Sequence, residues 1–237
     1  MAQSLVKESP MNSQNNSPFQ TLPPVVVALF LLIMGIEIVF SLGARGLMGG
    51  AQAVGWRLDA VQTYGFSAPV FRKMLELGQW PTEHLIRTVS YAFVHGSFSQ
   101  ALFAGVMLLA LGNMVGKVFS QLATLLIFLA GIVVGAVVYG LVAQSQFALI
   151  GAFPGVYALI GAYSFLMWMR LGVVGQNRLH AFRLVGILLA IQLVFGLVFG
   201  SQPDWIADVA AFVIGFMLSF LLVPGGWRRV RDILRHR

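Results

Sequence analysis

The 237-residue chain contains no cysteine and few charged residues. Without cysteine it has no disulfide framework, no thiolate nucleophile and no cysteine-ligated metal site. Charged residues make up 10% of the sequence, compared with about a quarter in an average soluble domain. Hydrophobic residues make up 58%, and the mean hydropathy is +0.85. The composition therefore predicts an integral membrane protein, and the length predicts one domain.

Long apolar runs predict an all-α membrane protein. A helix needs about 20 predominantly apolar residues to cross the hydrocarbon core. Six runs of this kind are present, at 24–42, 90–115, 119–142, 149–169, 182–200 and 205–223. Only the first connection is long, and we expect short interfacial helices within it, in stretches such as "APVFRKMLELG".

The two ends of the chain differ in character from the predicted membrane domain at 23–224. Residues 1–22 are rich in Ser, Asn and Gln and predict a disordered cytoplasmic tail. Residues 225–237, "GGWRRVRDILRHR", form a short basic tail beside the last span. A juxtamembrane basic cluster favours contact with anionic lipid over binding to nucleic acid.

The distribution of basic residues predicts the orientation in the membrane. With six spans both termini lie on one side, together with Lys7, Lys117, Arg170, Arg178, Arg183 and the basic tail. The two short connections on the other side carry no Lys or Arg. The positive-inside rule therefore predicts that both termini are cytoplasmic.

Small residues recur at every fourth position in several predicted spans. The repeats are Ala207, Ala211, Gly215 and Ser219 in the last span, Gly151 with Gly155 and Ala158 with Ala162 in the fourth, Gly131 with Gly135 in the third, and Gly196 with Gly200 in the fifth. Such repeats allow helix backbones to approach closely in lipid. Taken singly, each is explained by helix packing, and together they predict a rigid seam involving the fourth and last helices.

Three motifs in order resemble those of the rhomboid family of intramembrane serine proteases. They are "IRTVSYAFVHGSFSQALF" at the second span, "GAFPGVYALIGAY" in the fourth and "ADVAAFVIGF" in the last. The resemblance runs from the long first loop to the end of the last helix. It implies a six-helix rhomboid-like bundle with a long first loop and a serine endopeptidase activity.

The resemblance also implies which residues stand at the catalytic positions. The family's nucleophile is the serine of a Gly-x-Ser-Gly motif, and this position holds Phe153, with Pro154 at the following glycine. The family's general base is a histidine in the last helix, and this position holds Phe212. Loss of the nucleophile of a serine enzyme costs a factor on the order of 10⁶ in rate.

The oxyanion positions of the family are altered as well. They follow an entry histidine that corresponds to His95, and here they hold Gln100 and Ala104. The amide of Gln100 can donate a hydrogen bond, whereas the methyl group of Ala104 cannot. Each lost donor typically costs ~10²–10³ in rate.

The resemblance therefore predicts a pseudoprotease of a bacterial-type inner membrane that keeps the family's scaffold and has lost its catalytic residues. Its expected partners are membrane lipid and a single-span client or membrane complex, held at the family's lateral gate between the second and fifth helices. Phe195, Leu197 and Phe199 are candidates for that contact. No cofactor, metal or nucleic acid is implied. The alternative is an active rhomboid protease with a misaligned motif, while a channel or transporter is disfavoured because the spans carry few ionisable groups.

A replacement hydrolase built around His95 is a weaker hypothesis. Its partners would be Ser97, Ser99, Asp204 or Asp208, but the sequence offers no oriented oxyanion donors beside them. The other histidines are His84, His180 and His236, and no pair of them has metal-ligand spacing on one helix.

Several further residues are candidates for structural or client-binding roles. They are His95, Arg87, Pro154, Gly151, Gly155, Asp208 and Gly215. Asp208 is expected to make a structural bond and lies within possible reach of the loop at His95. Glu37 lies inside the first span, where an ionised carboxylate is costly. It must therefore face protein, pair with a cation, snorkel or be protonated, and a role as a proton site stays open.

Overall fold

A computed structural model describes residues 22–199 and 203–224, and within 193–199 the only side chain it describes is that of Val194. The two predicted tails lie outside these ranges, apart from residue 22. In the described ranges the protein is all-helical, and its one β-type pairing is an isolated bridge between Phe66 and Leu149. This confirms the predicted fold class.

The described residues form nine α-helices. They are α1 Pro24–Ala44, α2 Trp56–Tyr64, α3 Ala68–Leu77, α4 Thr82–Ser90, α5 Phe98–Gly116, α6 Gln121–Val142, α7 Phe153–Val173, α8 Arg183–Phe199 and α9 Trp205–Leu222. Short 3₁₀ helices cover Ala51–Gly55, Tyr91–Phe93 and Arg178–Phe182.

Five of these helices, α1, α5, α6, α7 and α9, are long and apolar enough to cross a membrane. The sixth predicted span corresponds to α8, which has 17 residues. At 1.5 Å per residue this helix is about 25 Å long, at the lower end of what spans a bilayer. Residues 200–202, which follow it, lie outside the described ranges.

Two helices begin later than their apolar runs predict. The run at 90–115 becomes a 3₁₀ turn and a loop before α5, because the hydroxyl of Ser97 accepts the N–H of Gln100 and caps the helix at that point. The run at 149–169 becomes α7 only from Phe153, since Gly151 has a φ of +97° and breaks the helical path. Apolar runs alone do not reveal these boundaries.

The long first loop is folded against the ends of the spans. Its helix α3 lies on the last turn of α6, where Arg72 donates to the carbonyls of Gly140 at 3.1 Å and Ala143 at 2.8 Å. Phe66 and Leu149 exchange backbone hydrogen bonds of 3.1 and 2.8 Å. The predicted helix at "APVFRKMLELG" is confirmed, and it packs on protein through its buried face.

Glycines bring α7 and α9 into backbone contact at the centre of the bundle. A side chain at Gly161 would collide with the backbone of Phe212, and one at Gly215 would collide with the backbone of Ala158. The repeat on α9 lies on this buried face, as predicted. Gly155 differs, because it makes room for the ring of Phe128 on α6.

Helix α8 lies at the edge of the bundle. Val185 is its one buried side chain among those described. Ile187, Ile191 and Val194 share one face and are 48–55% exposed. The proposed contact residues Phe195, Leu197 and Phe199, and the pair Gly196 and Gly200, lie outside the described side chains.

Candidate functional site

His95 holds together the turn that leads into α7. It lies in the loop before α5 and is 1% exposed. Its Nε2 accepts the backbone N–H of Ala152 at 3.2 Å, and the neighbouring N–H of Gly151 donates to the carbonyl of Tyr91 at 2.9 Å. Two consecutive amides before α7 are thus anchored to the segment that precedes α5.

The protonation state of His95 follows from its surroundings. Burial lowers its pKa to about 4. A ring nitrogen that accepts an N–H carries no proton of its own, so the bond to Ala152 requires the neutral imidazole. The basic nitrogen of His95 is therefore already engaged, and Ser97 uses its hydroxyl as a helix cap. Because both side chains are engaged in other hydrogen bonds, their geometry argues against a hydrolase built on His95 and Ser97.

Gln100 fills the space beside the same turn. Its Oε1 accepts the N–H of Gly96 at 2.8 Å. A Cβ at Gly151 would lie 3.3 Å from its Nε2 and 3.5 Å from Cδ2 of His95. Gly151 is thus required both by its positive φ and by its close neighbours. Ala104, one turn further along α5, is completely buried.

Phe153 is the first residue of α7 and is half-buried. Its ring packs against Phe103 of α5, with 6.0 Å between the ring centroids. Pro154 occupies the second position of the helix, where the missing N–H breaks no helical hydrogen bond. The position that resembles the family's nucleophile therefore carries an aromatic side chain packed on the neighbouring span.

Phe212 belongs to a different aromatic cluster. Its ring lies 6.2 Å from Phe182 and 6.5 Å from Phe216, measured between centroids. The cluster connects α7, α9 and the 3₁₀ helix before α8, and its members are Phe165, Trp168, Phe182, Phe212, Phe216 and Phe220.

If Phe153 and Phe212 stand at the two positions of one catalytic pair, their rings should lie within about 4.5–7 Å of each other. No such contact is among the aromatic contacts of the described residues. The register of the helices gives the reason. Pro154 and Ala207 both lie against Gly135, so the starts of α7 and α9 are level. Phe212 comes five residues after Ala207, which places it about 7.5 Å deeper along the helix axis.

Glu37 is paired with a residue that the sequence analysis did not single out. It is 1% exposed, and Arg57 of α2 donates to its two carboxylate oxygens at 2.8 and 2.6 Å. Ser41 donates a further bond of 2.9 Å, and Arg57 also donates to the carbonyl of His95 at 2.7 Å. A buried carboxylate needs a cation, but the sequence does not indicate which arginine of the loop supplies it.

Asp208 makes a structural bond, although not toward His95. It is 3% exposed, and its Oδ2 accepts Nε2 of Gln192 on α8 at 2.8 Å. Gln192 was not predicted, because one polar residue in an apolar helix does not reveal its partner. Nearby Asp204 precedes α9, and burial raises its pKa to about 6.

The geometry defines a polytopic membrane protein with a tight core of α6, α7 and α9 and an anchored turn before α7. The family model for the rhomboid domain matches residues 82–225. A Bacillus subtilis (strain 168) protein named "Putative rhomboid protease YdcA" is 23% identical over 219 residues, covering 92% of this chain and 98% of that protein. The chain belongs to the rhomboid family.

Proposed function

We propose that this protein is a catalytically inactive rhomboid that binds a transmembrane client without cleaving it. The proposal is supported by the two aromatic residues, Phe153 and Phe212, that the resemblance aligns with the family's nucleophile and base, each packed in an aromatic contact of its own. A phenyl ring offers neither a nucleophilic atom nor a proton acceptor. The ring of Phe153 also fills space at the start of α7, where the resemblance would place the nucleophile.

The neighbouring polar groups support the same proposal. Nε2 of His95 accepts the backbone N–H of Ala152, and Asp208 accepts a hydrogen bond from Gln192. Ala104 removes one oxyanion donor, a change typically worth ~10²–10³ in rate. A different nucleophile would have to act without a free histidine base among these groups.

Binding is proposed at α8 because this helix has an apolar face that is about half exposed. Ile187, Ile191 and Val194 form the face. The opposite side packs on the core through Val185, Leu184, Leu188 and Leu189, and Gln192 bonds to Asp208. A client helix could pack on this face through van der Waals contact. We further infer that both termini are cytoplasmic, from the positive-inside rule, and that the membrane is a bacterial-type inner membrane, from the resemblance to the family.

The catalytic part of the proposal is tested with purified protein in lipid nanodiscs. We expect no labelling by a fluorophosphonate probe and no cleavage of a single-span model substrate, under conditions where an active rhomboid does both. Labelling that disappears when one serine is changed to alanine would establish the alternative, an active protease.

The binding part is tested with photo-crosslinking amino acids in native membranes. A crosslinker at Ile191, which is 48% exposed, should capture a discrete membrane protein. The matched control is Leu126 on α6, which is 43% exposed and should capture lipid. Equal and diffuse labelling at both positions would contradict a binding surface on α8.

A further inference from the structure

The segment that ends α7 and begins α8 combines positive charge with exposed apolar side chains. We call residues 170–183 the α7–α8 segment; its sequence, "RLGVVGQNRLHAFR", contains three arginines and no acidic residue. Val173 and Leu179 are 85% and 72% exposed, more than any other large apolar side chain in the described ranges. Aliphatic side chains beside arginines are typical of a segment that lies at the headgroup level of a bilayer.

The α7–α8 segment lies at an end of the bundle that has no acidic residue in the described ranges. Lys117, which follows α5, is at the same end, because the bond between His95 and Ala152 joins the starts of α5 and α7. The described acidic residues are in the first loop, in the adjoining half of α1, or at the start of α9: Glu37, Asp59, Glu76, Glu83, Asp204 and Asp208. This end is therefore complementary to a negatively charged partner.

Arg178 is held in one place on this surface. Its guanidinium lies over the ring of Trp168, with 4.7 Å from its carbon to the ring centroid. It also lies against Gly172, one turn further along α7, where a Cβ would come within 2.6–2.7 Å of it. A guanidinium stacked on a ring keeps the N–H groups in its plane available to acceptors. Arg178 thus presents planar donors at an ordered position, which suits a phosphate group.

We propose that the α7–α8 segment binds the headgroup of an anionic phospholipid, with Arg178 bonded to its phosphate. Arg170 and Arg183 add electrostatic attraction to the same leaflet. Val173 and Leu179 lie beside the acyl chains, so the lipid covers the exposed aliphatic side chains as well as the charge. A soluble anion would leave them uncovered. The inference depends neither on the loss of catalysis nor on client binding at α8.

A single fluorescent probe tests the proposal, because the cysteine-free chain accepts one labelling site. Leu179→Cys carries the fluorophore, in nanodiscs of phosphatidylcholine and phosphatidylglycerol in which one lipid or the other bears a quenching nitroxide on its acyl chain. Per labelled molecule, phosphatidylglycerol should quench at least about fivefold more strongly. Equal quenching by the two lipids would overturn the preference for an anionic headgroup. Absence of quenching by either would overturn the lipid contact itself.

Variants of the labelled protein test the part played by Arg178. Arg178→Gln should lower the preference for phosphatidylglycerol about fivefold. Arg45→Gln is the matched control, since it removes one exposed positive charge at the other end of the bundle, and it should leave the preference unchanged. Equal losses in the two variants would overturn the assignment to Arg178.

A further variant keeps the charge and changes only its position. Gly172→Ala places a methyl group where the guanidinium lies, so the side chain of Arg178 must leave the ring of Trp168. The preference should fall although the net charge is unchanged. All variants are compared at equal helicity by circular dichroism and equal elution volume. Full preference in a folded Gly172→Ala protein would overturn the ordered site.

Discussion

Helices α8 and α9 carry similar apolar sequences but are held in the protein in different ways. On α9, Gly215 brings the backbone against Ala158 of α7, and the small-residue repeat is buried. On α8, three side chains of one face are about half exposed, and among the described side chains Gln192 makes the one polar bond to α9. Composition alone does not distinguish these helices, whereas the position of the small residues does.

This difference in packing distinguishes the tightly packed scaffold, which includes α7 and α9, from the surface of α8, on which we propose that a client binds. Phe212 stands on the tight seam, where neighbouring backbones fix its position. A helix packed as lightly as α8 can move at a lower cost in free energy. Under the proposed function, the seam of α7 and α9 is the part that preserves the fold, and α8 is the part that a client would contact.

The largest effect is expected when the seam itself is opened. Gly215→Val places a branched side chain against the backbone of Ala158, and backbone atoms cannot move away as a flexible side chain can. We expect a loss of more than about 5 kcal/mol in the free energy of unfolding, or no folded protein. The measurement is thermal unfolding in detergent.

Gly186→Val is the matched control for the seam, because a side chain at Gly186 on α8 meets nothing within 4 Å. It should change the free energy of unfolding by less than about 1 kcal/mol. Equal destabilisation by the two substitutions would contradict the contrast between the helices.

The next largest effect is expected at the buried ion pair. Arg57→Met leaves the carboxylate of Glu37 buried without its cation and should cost about 3–5 kcal/mol. Arg45→Met, at an exposed position of the same loop, should be nearly neutral. Denaturation in detergent compares them. If Glu37→Leu combined with Arg57→Met is no more stable than the single change, the pair is not coupled.

A smaller loss of stability is expected when the pH is lowered. The folded pKa of His95 is lowered to about 4, so the unfolded chain binds a proton at higher pH than the folded protein does. Its contribution to stability is present above about pH 6.5 and is lost as the pH falls through about 4. The loss should reach roughly 2–3 kcal/mol.

His95→Gln isolates this acid effect from other titrating groups. Glutamine can still accept the N–H of Ala152 but does not titrate. Asp204, whose pKa is raised to about 6, acts in the opposite direction in both proteins. Unfolding temperatures at pH 7 and pH 4.5 should therefore differ more in the wild type than in the variant, and parallel curves would contradict the neutral, engaged histidine.

The smallest effect is expected at the link between α8 and α9. Gln192→Leu removes the hydrogen bond to Asp208 and should cost about 1 kcal/mol. Its consequence should be local, as faster amide hydrogen exchange in residues 183–192 with little change in α7. Slower exchange there would show that the bond does not hold α8 in place.

Much of the fold followed from the sequence, because apolar run length and small-residue spacing are local signals. The run around α6 and the repeat at Ala207, Ala211 and Gly215 are examples. Two helix starts were missed, since a cap at Ser97 and a positive φ at Gly151 depend on single residues.

The partners of polar residues were harder to predict than the helices. Pairing with a cation was one of the alternatives predicted for Glu37, but Arg57 lies 20 residues away, in a loop with other basic residues. Asp208 and Gln192 meet only because α8 and α9 pack side by side. The resemblance supplied the positions of Phe153 and Phe212, but not the direction in which each ring points.

The separation of those two rings has an evolutionary consequence. Phe153 is held by Phe103, and Phe212 by Phe182 and Phe216, so each replacement is supported by its own neighbours. Under the proposed function, a lineage returning to proteolysis would need a serine and a histidine at once, and each single reversion would leave a void in an aromatic contact without restoring activity. Selection would then favour neither single substitution on its own.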